Sequence, residues 1–415
     1  MKRSRKISPL AAAAVLASLL IGCASLPEKT ARQSEGLRAP ARDAQHAEVD
    51  LRSLYPELSE DAFLRKVRKA SSPLKFFRAF PPLYYRLFDL KKDSLPSQIK
   101  KATAYPGWCA GDAHPENFGV LVGEGHHAQF ALIDLDDSGP CTIVADLLRF
   151  LVAAKQSLPE SPDGRDTLGR LLDAYFDGVE GRVKLSAPVK KILSDAEQKL
   201  EFNEELRVYE DQLELTASVS LKEKQSLIKL LSSIYGPVSQ FEATRYAKNS
   251  GGSAGVLRYR VRFKTKSEII VLELKTVGRP AVFFEREGGS APSSDPTMVD
   301  PIQRVRQALA FTAPEGRSKH FQVKQLEKIP MLISPRYRGI RSIELERDSD
   351  GFGRDALRIL RDEAAVLGSL HSRSRHRTSE YLRDLRQVTP EQWESAEAAL
   401  WNSVVEIWEK VGSKE

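Results

Sequence analysis

The sequence predicts an α+β protein in which a small antiparallel β lobe is inserted between two segments of a mainly helical lobe. Two changes of hydrophobic period carry that reading. At about residue 237 helical spacing gives way to alternation, in VLRYRVRF (256–263) and SEIIVLELKTV (267–277), just after the glycine-rich NSGGSAG (249–255). From Asp355 helical spacing returns and runs nearly to the end. The expected organisation is a leader (1–22), a tether (23–48), the first segment of the helical lobe (49–237), a β-rich lobe (238–350) and the second segment of the helical lobe (351–415).

The chain has 415 residues, with 41% hydrophobic and 29% charged side chains, enough for a large core and too apolar for a disordered chain. Lys2, Arg3, Arg5 and Lys6 precede an uncharged run from Pro9 to Gly22, which is too short for a stable membrane span and reads as a secretory leader. Those bases account for much of the formal charge of +7, so the processed chain is only mildly basic and nucleic acid is not an expected partner. The leader ends Leu20-Ile21-Gly22-Cys23, which resembles the bacterial lipobox. That resemblance implies a lipoprotein, with Cys23 carrying diacylglycerol and a further fatty acid such as palmitate. Ala24 stands where a retention Asp would keep the protein at the inner membrane, so the implied location is the cell envelope, on the outer membrane facing the periplasm. Several acyl chains anchor durably, at roughly 0.8 kcal/mol per buried methylene. Residues 24–48 are polar without an apolar stripe and read as a flexible tether of about 25 residues, spanning roughly 25–30 Å.

From Val49 the pattern is helical: DAFLRKVRKA, SPLKFFRAF and PPLYYRLFDL, each broken near a Ser or Pro. Phe76, Phe77, Phe80, Tyr84, Tyr85 and Phe88 recur at near-helical spacing and are expected in the core. Further amphipathic helices are expected over TIVADLLRFLVAAKQ and RDTLGRLLDAYFDGV, and helices continue through 186–236. After the strand pair come a Gly/Ser/Pro-rich loop (287–300), a short helix (PIQRVRQALAF) and strand-like runs at HFQVKQL, PMLI and RSIEL. Cys109 and Cys141 bracket the segment between them; buried free thiols are the expected state, with a disulfide as the alternative.

Residues 111–137, GDAHPENFGVLVGEGHHAQFALIDLDD, carry the chemistry. A glycine turn presents Asp112, Asn117 follows, and an apolar pair of runs ends in Asp134, Asp136 and Asp137. Carboxylates and an amide at strand ends are what a protein needs to hold a divalent cation and orient a hydroxyl near phosphates. His126-His127 reads as a polar hairpin turn, and no histidine spacing suggests zinc.

This cassette resembles the catalytic and metal loops of the protein-kinase-like superfamily, above all the aminoglycoside-phosphotransferase-like enzymes with HGDxHxxN. The resemblance implies that Asp112 is the base, Asn117 and Asp134 are metal ligands with Asp136 an auxiliary, and His114 orders the turn. It implies Mg²⁺ or Mn²⁺ as cofactor, and ATP or another nucleotide as donor to an unknown acceptor. The turn Ser250, Gly251, Gly252, Ser253 and Gly255 is similar to a phosphate-binding loop, and Lys275 stands where a strand lysine would reach the phosphates.

Both come well over a hundred residues after the catalytic loop, whereas in kinases they precede it. VLGSLHSRS (366–374), which resembles the helix leading into HGDxHxxN, lies near the C-terminus. A circular permutation accounts for all of these displacements, and it predicts that the C-terminal helix packs beside the start of the folded region.

The arrangement is similar to bacterial domain of unknown function family 2252, in SP-x-x-F-x-R (Ser72 to Arg78), GDAH-x-x-NF, D-x-D-[DE] and a later GS-x-G. Three departures stand out. Ser250 replaces the first loop glycine, Ala110 precedes Gly111 where His or Arg is usual, and the helix after Lys275 offers Gln303 and Gln307 but no Glu.

Two other functions fit portions of the pattern. A kinase-like scaffold of the envelope would bind without turnover, which suits a compartment poor in ATP. ALIDLDDSG also resembles the haloacid-dehalogenase motif, in which Asp134 would attack a phosphate with Asp136 as acid/base. The basic run Arg373, Arg375, His376 and Arg377 reads as a solvated helix face.

Overall fold

The computed structural model of the chain describes residues 49–158, 167–206, 213–248, 252, 255–285, 300–312, 316–339, 342, 343, 345, 352–374 and 378–412. Cys23, Ser250, Gly251, Ser253, Arg375, His376 and Arg377 lie outside the described residues. Among the described residues no helix is long and apolar enough to cross a membrane.

The first helices form where caps and prolines direct them. Ser59 caps α1 (Glu60–Lys69), its hydroxyl accepting from Ala62 N at 3.3 Å, with acids in the first turn and bases in the last. Pro73 and Pro81 open α2 (Pro73–Ala79) and α3 (Pro81–Lys91), where a missing N–H removes no helical bond. The aromatic residues from Phe76 to Phe88 expected in the core are buried there. After α4 (Ser97–Ala102) come four short strands, β1 (Pro106–Cys109), β2 (Phe118–Val122), β3 (Ala128–Leu132) and β4 (Gly139–Thr142). Antiparallel pairing joins β1 to β4 and β2 to β3, with His126 and His127 in the turn between the latter. Helices α5 (Ile143–Ser157), α6 (Thr167–Val179) and α7 (Ala187–Glu197) follow.

Cys109 and Cys141 form a disulfide, which corrects the expectation of free thiols. The reason is register: Gly107 faces Cys141 and Cys109 faces Gly139, which leaves the two Cα atoms 5.8 Å apart, within bridging distance.

Next come β5 (Leu213–Ser218), α8 (Leu221–Tyr235), β6 (Ser239–Lys248), β7 (Leu257–Lys264), β8 (Ile269–Thr276), α9 (Pro301–Thr312), β9 (Gln322–Leu326) and β10 (Ile329–Pro335). The strands make one antiparallel sheet in the order β5-β6-β7-β8-β10-β9. A Ser220–Glu223 capping box starts α8, whose Leu227 and Leu231 pack on Val261, Phe263, Ile270 and Leu272. The sheet layer therefore begins at β5 and takes in α8, earlier than the boundary at 238 expected from the sequence. On the sheet's other face Val305 of α9 packs with Val277, Val323 and Leu332. Of the run RSIEL, expected as a strand, Ser342 makes an isolated bridge to Gly119 of β2.

The chain then returns to the main core as α10 (Phe352–Arg373), α11 (Thr378–Leu385) and α12 (Pro390–Gly412). A Cβ on Gly178 would stand 1.9 Å from Ala365 O, and one on Gly368 2.1 Å from Tyr175 O, so α6 and α10 touch only because both are glycines. The C-terminal helix lies beside the start of the described chain. Trp408 donates its Nε1–H to Ala70 O at 3.1 Å, and Trp401 meets Phe77 edge-on at 6.2 Å.

Candidate functional site

The acidic cassette closes on itself. Gly111 has φ +83°, and a Cβ there would lie 1.8 Å from Asp137 O, so the turn that presents Asp112 rests on the turn after Asp134. Asn117 donates Nδ2–H to Asp112 O at 2.8 Å and Oδ2 at 3.1 Å. Its carbonyl accepts from Ile133 N at 2.9 Å, which sets Asn117 and Asp134 at the same end of the β2–β3 hairpin. Among the described residues the Asn117 Oδ1 carries no hydrogen bond.

Lys275 reaches this turn from β8. Its Nζ donates to Asp134 Oδ1 and Oδ2 at 3.0 and 3.1 Å and to Asp136 Oδ1 at 2.6 Å. The partner that α9 does not offer is thus supplied by the acidic turn itself. Gly252 lies over Asp112: a Cβ on it would be 3.6 Å from Asp112 Oδ2. Gly255, with φ +78°, donates its N–H to Lys248 O at 2.9 Å and closes the β6–β7 turn. Of the residues expected at the site, Asp112, Asn117, Asp134, Asp136, Gly252 and Lys275 are therefore brought together.

The charges are strongly perturbed. Burial pushes the Asp112 carboxyl up, but the Arg149 guanidinium and His114 outweigh it and hold Asp112 well below the usual carboxylate range. Burial likewise opposes ionisation of Asp134, and Lys275 overcomes it. Asp136 is pushed well above the usual range by burial and by Asp134. Asp137 is pushed up to about 6 by burial and Asp112, although its Oδ1 accepts from Ala281 N at 2.8 Å. Lys275 is raised, because Asp134 and Asp136 outweigh its own burial.

Residues 57–245 match the family described as an uncharacterized protein conserved in bacteria, domain of unknown function 2252. No curated protein and no solved structure matches the chain. The matched stretch holds the whole acidic cassette and ends within β6, so Lys275 lies beyond it.

Several residues that hold this site together belong to no motif visible in the sequence. Arg149, fully buried on α5, donates through Nε (3.1 Å) and Nη2 to Asp112 Oδ1 and stacks over Phe77 at 4.5 Å. Asp146, one turn earlier, accepts from Ala110 N at 2.7 Å, Gly111 N at 3.1 Å, Tyr85 OH at 2.7 Å and His371 Nε2 at 3.0 Å. His371 is held in turn by Tyr175, and Tyr175 by Tyr381. This network replaces the anchor that Ala110 cannot give. The signals in the sequence were an acid and an arginine on the apolar stripe of ADLLRFL and the resemblance of VLGSLHSRS, which carries His371.

Cys109, Asp146 and His371 lie close enough to share a cation. With Cys109 in a disulfide and both Asp146 oxygens occupied, the cluster is an anchor rather than a metal centre. Lys66 of α1 donates to Gly252 O at 2.8 Å, and burial pulls its ammonium down to about 8. Arg304 of α9 donates to Asp136 O and Ser138 O, each at 2.6 Å, and fixes the acidic turn from the sheet side. Arg373 bonds Phe311 O at 2.8 Å and Ser369 Oγ at 2.7 Å, so it is tied to its neighbours rather than free in solvent.

Proposed function

We propose that this protein catalyses metal-assisted phosphoryl or nucleotidyl transfer on a kinase-like, circularly permuted fold. One observation carries the reading: Asp112 with Asn117, the strand-end acids Asp134 and Asp136, and the strand lysine Lys275 meet at one point, with Gly252 beside Asp112. In kinase-type transfer a glycine-rich loop covers the phosphates, a lysine on the third strand reaches them, and a loop Asp receives the acceptor hydroxyl. The β6–β7 hairpin, Lys275 on the following strand and the helix α9 after it keep that relation. The packing of α12 against α1 and α2 supports the permutation.

Asp134, Asp136 and the Asn117 amide oxygen form a hard oxygen donor set that suits Mg²⁺ or Mn²⁺. The unengaged Asn117 Oδ1 and the 40% exposure of the Asp134 side chain fit that role. A cation held there would neutralise charge on the donor phosphates. Asp112, held anionic by Arg149, is a weak base, and its work is to accept a hydrogen bond from the acceptor hydroxyl and aim it. Loose phosphoryl transfer asks little more of that residue, because positioning and electrostatics supply most of the rate. An anchor through lipidated Cys23 at the periplasmic face of the outer membrane belongs to the same proposal.

The test is turnover of phosphoanhydride donors by the purified full chain with Mg²⁺ or Mn²⁺. Asp112→Asn and Asp134→Asn should each lower the rate by about a hundredfold or more, about 2.7 kcal/mol of barrier. Equal rates in both variants and wild type would sink the assignment. Ligand binding lost in Asp134→Asn without turnover in wild type would point instead to a binding scaffold.

A further inference from the structure

Helix α1 buries two of its side chains, Phe63 and Lys66, three residues apart on one stripe. For Phe63 that is ordinary core packing. Lys66, only 1% exposed, puts a cation where an apolar side chain would fill the same space without giving up hydration. Its ammonium is housed against two aromatic rings. Nζ lies 5.3 Å from the ring centre of Tyr55 and 5.3 Å from that of Phe80, and those rings meet edge-on at 5.4 Å. Burial pulls the ammonium down to about 8, while Asp137, Asp112 and Glu57 hold it up and Lys275 opposes them. The field that Lys66 feels is thus largely that of the acidic turns, although α1 gives no residue to the cassette.

One hydrogen bond shows what this cation holds. Nζ donates to Gly252 O at 2.8 Å, across 186 residues of sequence. Gly252 belongs to the β6–β7 turn that the Gly255 N–H closes on Lys248 O. A Cβ built on Gly252 would lie 3.6 Å from Arg78 O, 3.6 Å from Asp112 Oδ2 and 3.8 Å from Pro81 Cγ, each an ordinary contact distance. The Gly252 backbone therefore rests on the junction of α2 and α3 and on the Asp112 carboxylate together. Gly252 is itself exposed, so burial does not fix it there. A bond from an ionised donor does, and such bonds are roughly twice as strong as neutral ones.

Resting on the transfer reading above, we propose that Lys66 is a positioning residue for the donor: by holding the Gly252 carbonyl it sets the glycine turn beside Asp112, where the phosphates are received. The sheet brings Lys275 to the donor, and the helical lobe, through Lys66, brings the turn. Loss of Lys66 frees the Gly252 carbonyl but leaves the bonds among Asp112, Asn117, Asp134 and Lys275 in place. The effect should therefore fall on donor affinity rather than on the transfer step.

Release of phosphate from ATP and from inorganic tripolyphosphate by the purified full chain with Mg²⁺, together with a calorimetric Kd for each, tests this. Lys66→Met should raise donor KM and Kd by about tenfold or more and leave kcat within about threefold. Lys66→Arg should restore most of the loss, because it keeps a charged donor. Gly252→Val, whose side chain crowds the same contacts, should weaken the donor too, and the double variant should be no worse than the weaker single one. If Lys66→Met fails to fold, Lys66→Gln should act in the same direction. Additive losses in the double variant would overturn action through Gly252. A fall in kcat at unchanged KM would overturn the positioning role. Unmoved KM, Kd and kcat in Lys66→Met would overturn this inference and leave the transfer reading standing. Binding without phosphate release, weakened in Lys66→Met, would uphold the role of Lys66 and overturn transfer. A wild type that binds neither donor and releases no phosphate would overturn both.

Discussion

Asp146→Asn is the sharpest probe of how the Asp112 turn is held. In the wild type one Asp146 oxygen accepts from Tyr85 OH (2.7 Å) and Gly111 N (3.1 Å), the other from Ala110 N (2.7 Å) and His371 Nε2 (3.0 Å). All of this is buried, with Asp146 and His371 at 0% exposure. An amide keeps one acceptor oxygen and turns an NH₂ group on the other pair of donors. The hydroxyl of Tyr85 can rotate and His371 can change tautomer, but the backbone N–H of Ala110 or Gly111 cannot. At least one buried backbone donor therefore loses its partner, at about 1–3 kcal/mol, and faces another donor besides. The expected loss is about 2–4 kcal/mol, read as a lower urea midpoint at unchanged slope. Asp146→Ala strips every partner and, against a total stability of about 5–15 kcal/mol, should leave little folded protein. A midpoint shift worth less than about 0.5 kcal/mol in Asp146→Asn would refute the claim that this carboxylate anchors the turn.

Reducing the Cys109–Cys141 bridge, which closes 32 residues of sequence, should cost about 3–4 kcal/mol, measured by urea unfolding with and without reductant. Gly111→Ala meets Asp137 O at 1.8 Å in a left-handed backbone, so it should lower thermal stability and abolish turnover together; a variant of wild-type stability would contradict the turn contact. Two buried groups should shape stability against pH in opposite ways. Glu363, whose carboxyl burial and Asp362 raise well above the usual value, favours folding while neutral, and that contribution is lost as pH rises above about 4.5; Glu363→Gln should therefore gain over wild type in melting temperature at pH 8 but not at pH 4. His320, lowered by burial to about 4 beside Tyr235, favours folding while neutral, and its contribution is lost as pH falls from 6.5 toward 4, which His320→Phe should abolish in the same melting series.

The features of this fold that were legible in the sequence are those set by local pattern. Aromatic residues at helical spacing, prolines at helix starts and alternation in 256–277 each constrain a few neighbouring residues, and the structure follows them. The cassette was legible because Gly111, Asp112, Asn117 and Asp134 lie on one turn and one hairpin. What could not be read depends on partners far away in sequence. The stripe of Leu227 and Leu231 shows that α8 has an apolar face but not that a sheet covers it. Lys66 looks like one more base on a basic helix until Tyr55 and Phe80 are found each 5.3 Å from its ammonium. The disulfide needed the β1–β4 register, and Arg149 gave no hint that its partner would be Asp112.

On the proposed transfer reading, the pairing of Lys275 with Asp134 sets how metal and donor would enter together. Lys275 is buried, and its ammonium is kept there by Asp134 and Asp136. A divalent cation that takes Asp134 competes with Lys275 for the same oxygens and leaves a buried ammonium short of a counter-charge, which costs several kcal/mol when nothing replaces it. A donor phosphate is the natural replacement: it accepts from Lys275 while the cation accepts oxygens from Asp134 and the phosphate together. Metal and phosphoanhydride should therefore bind cooperatively, each raising the affinity of the other by the same factor. Titration of Mn²⁺ with and without tripolyphosphate measures that factor, expected at about tenfold or more. In Lys275→Met the competing ammonium is gone, so Mn²⁺ alone should bind tighter than in wild type while the cooperativity falls toward one. Unchanged cooperativity in that variant would show that Lys275 does not pass between the acids and the phosphates.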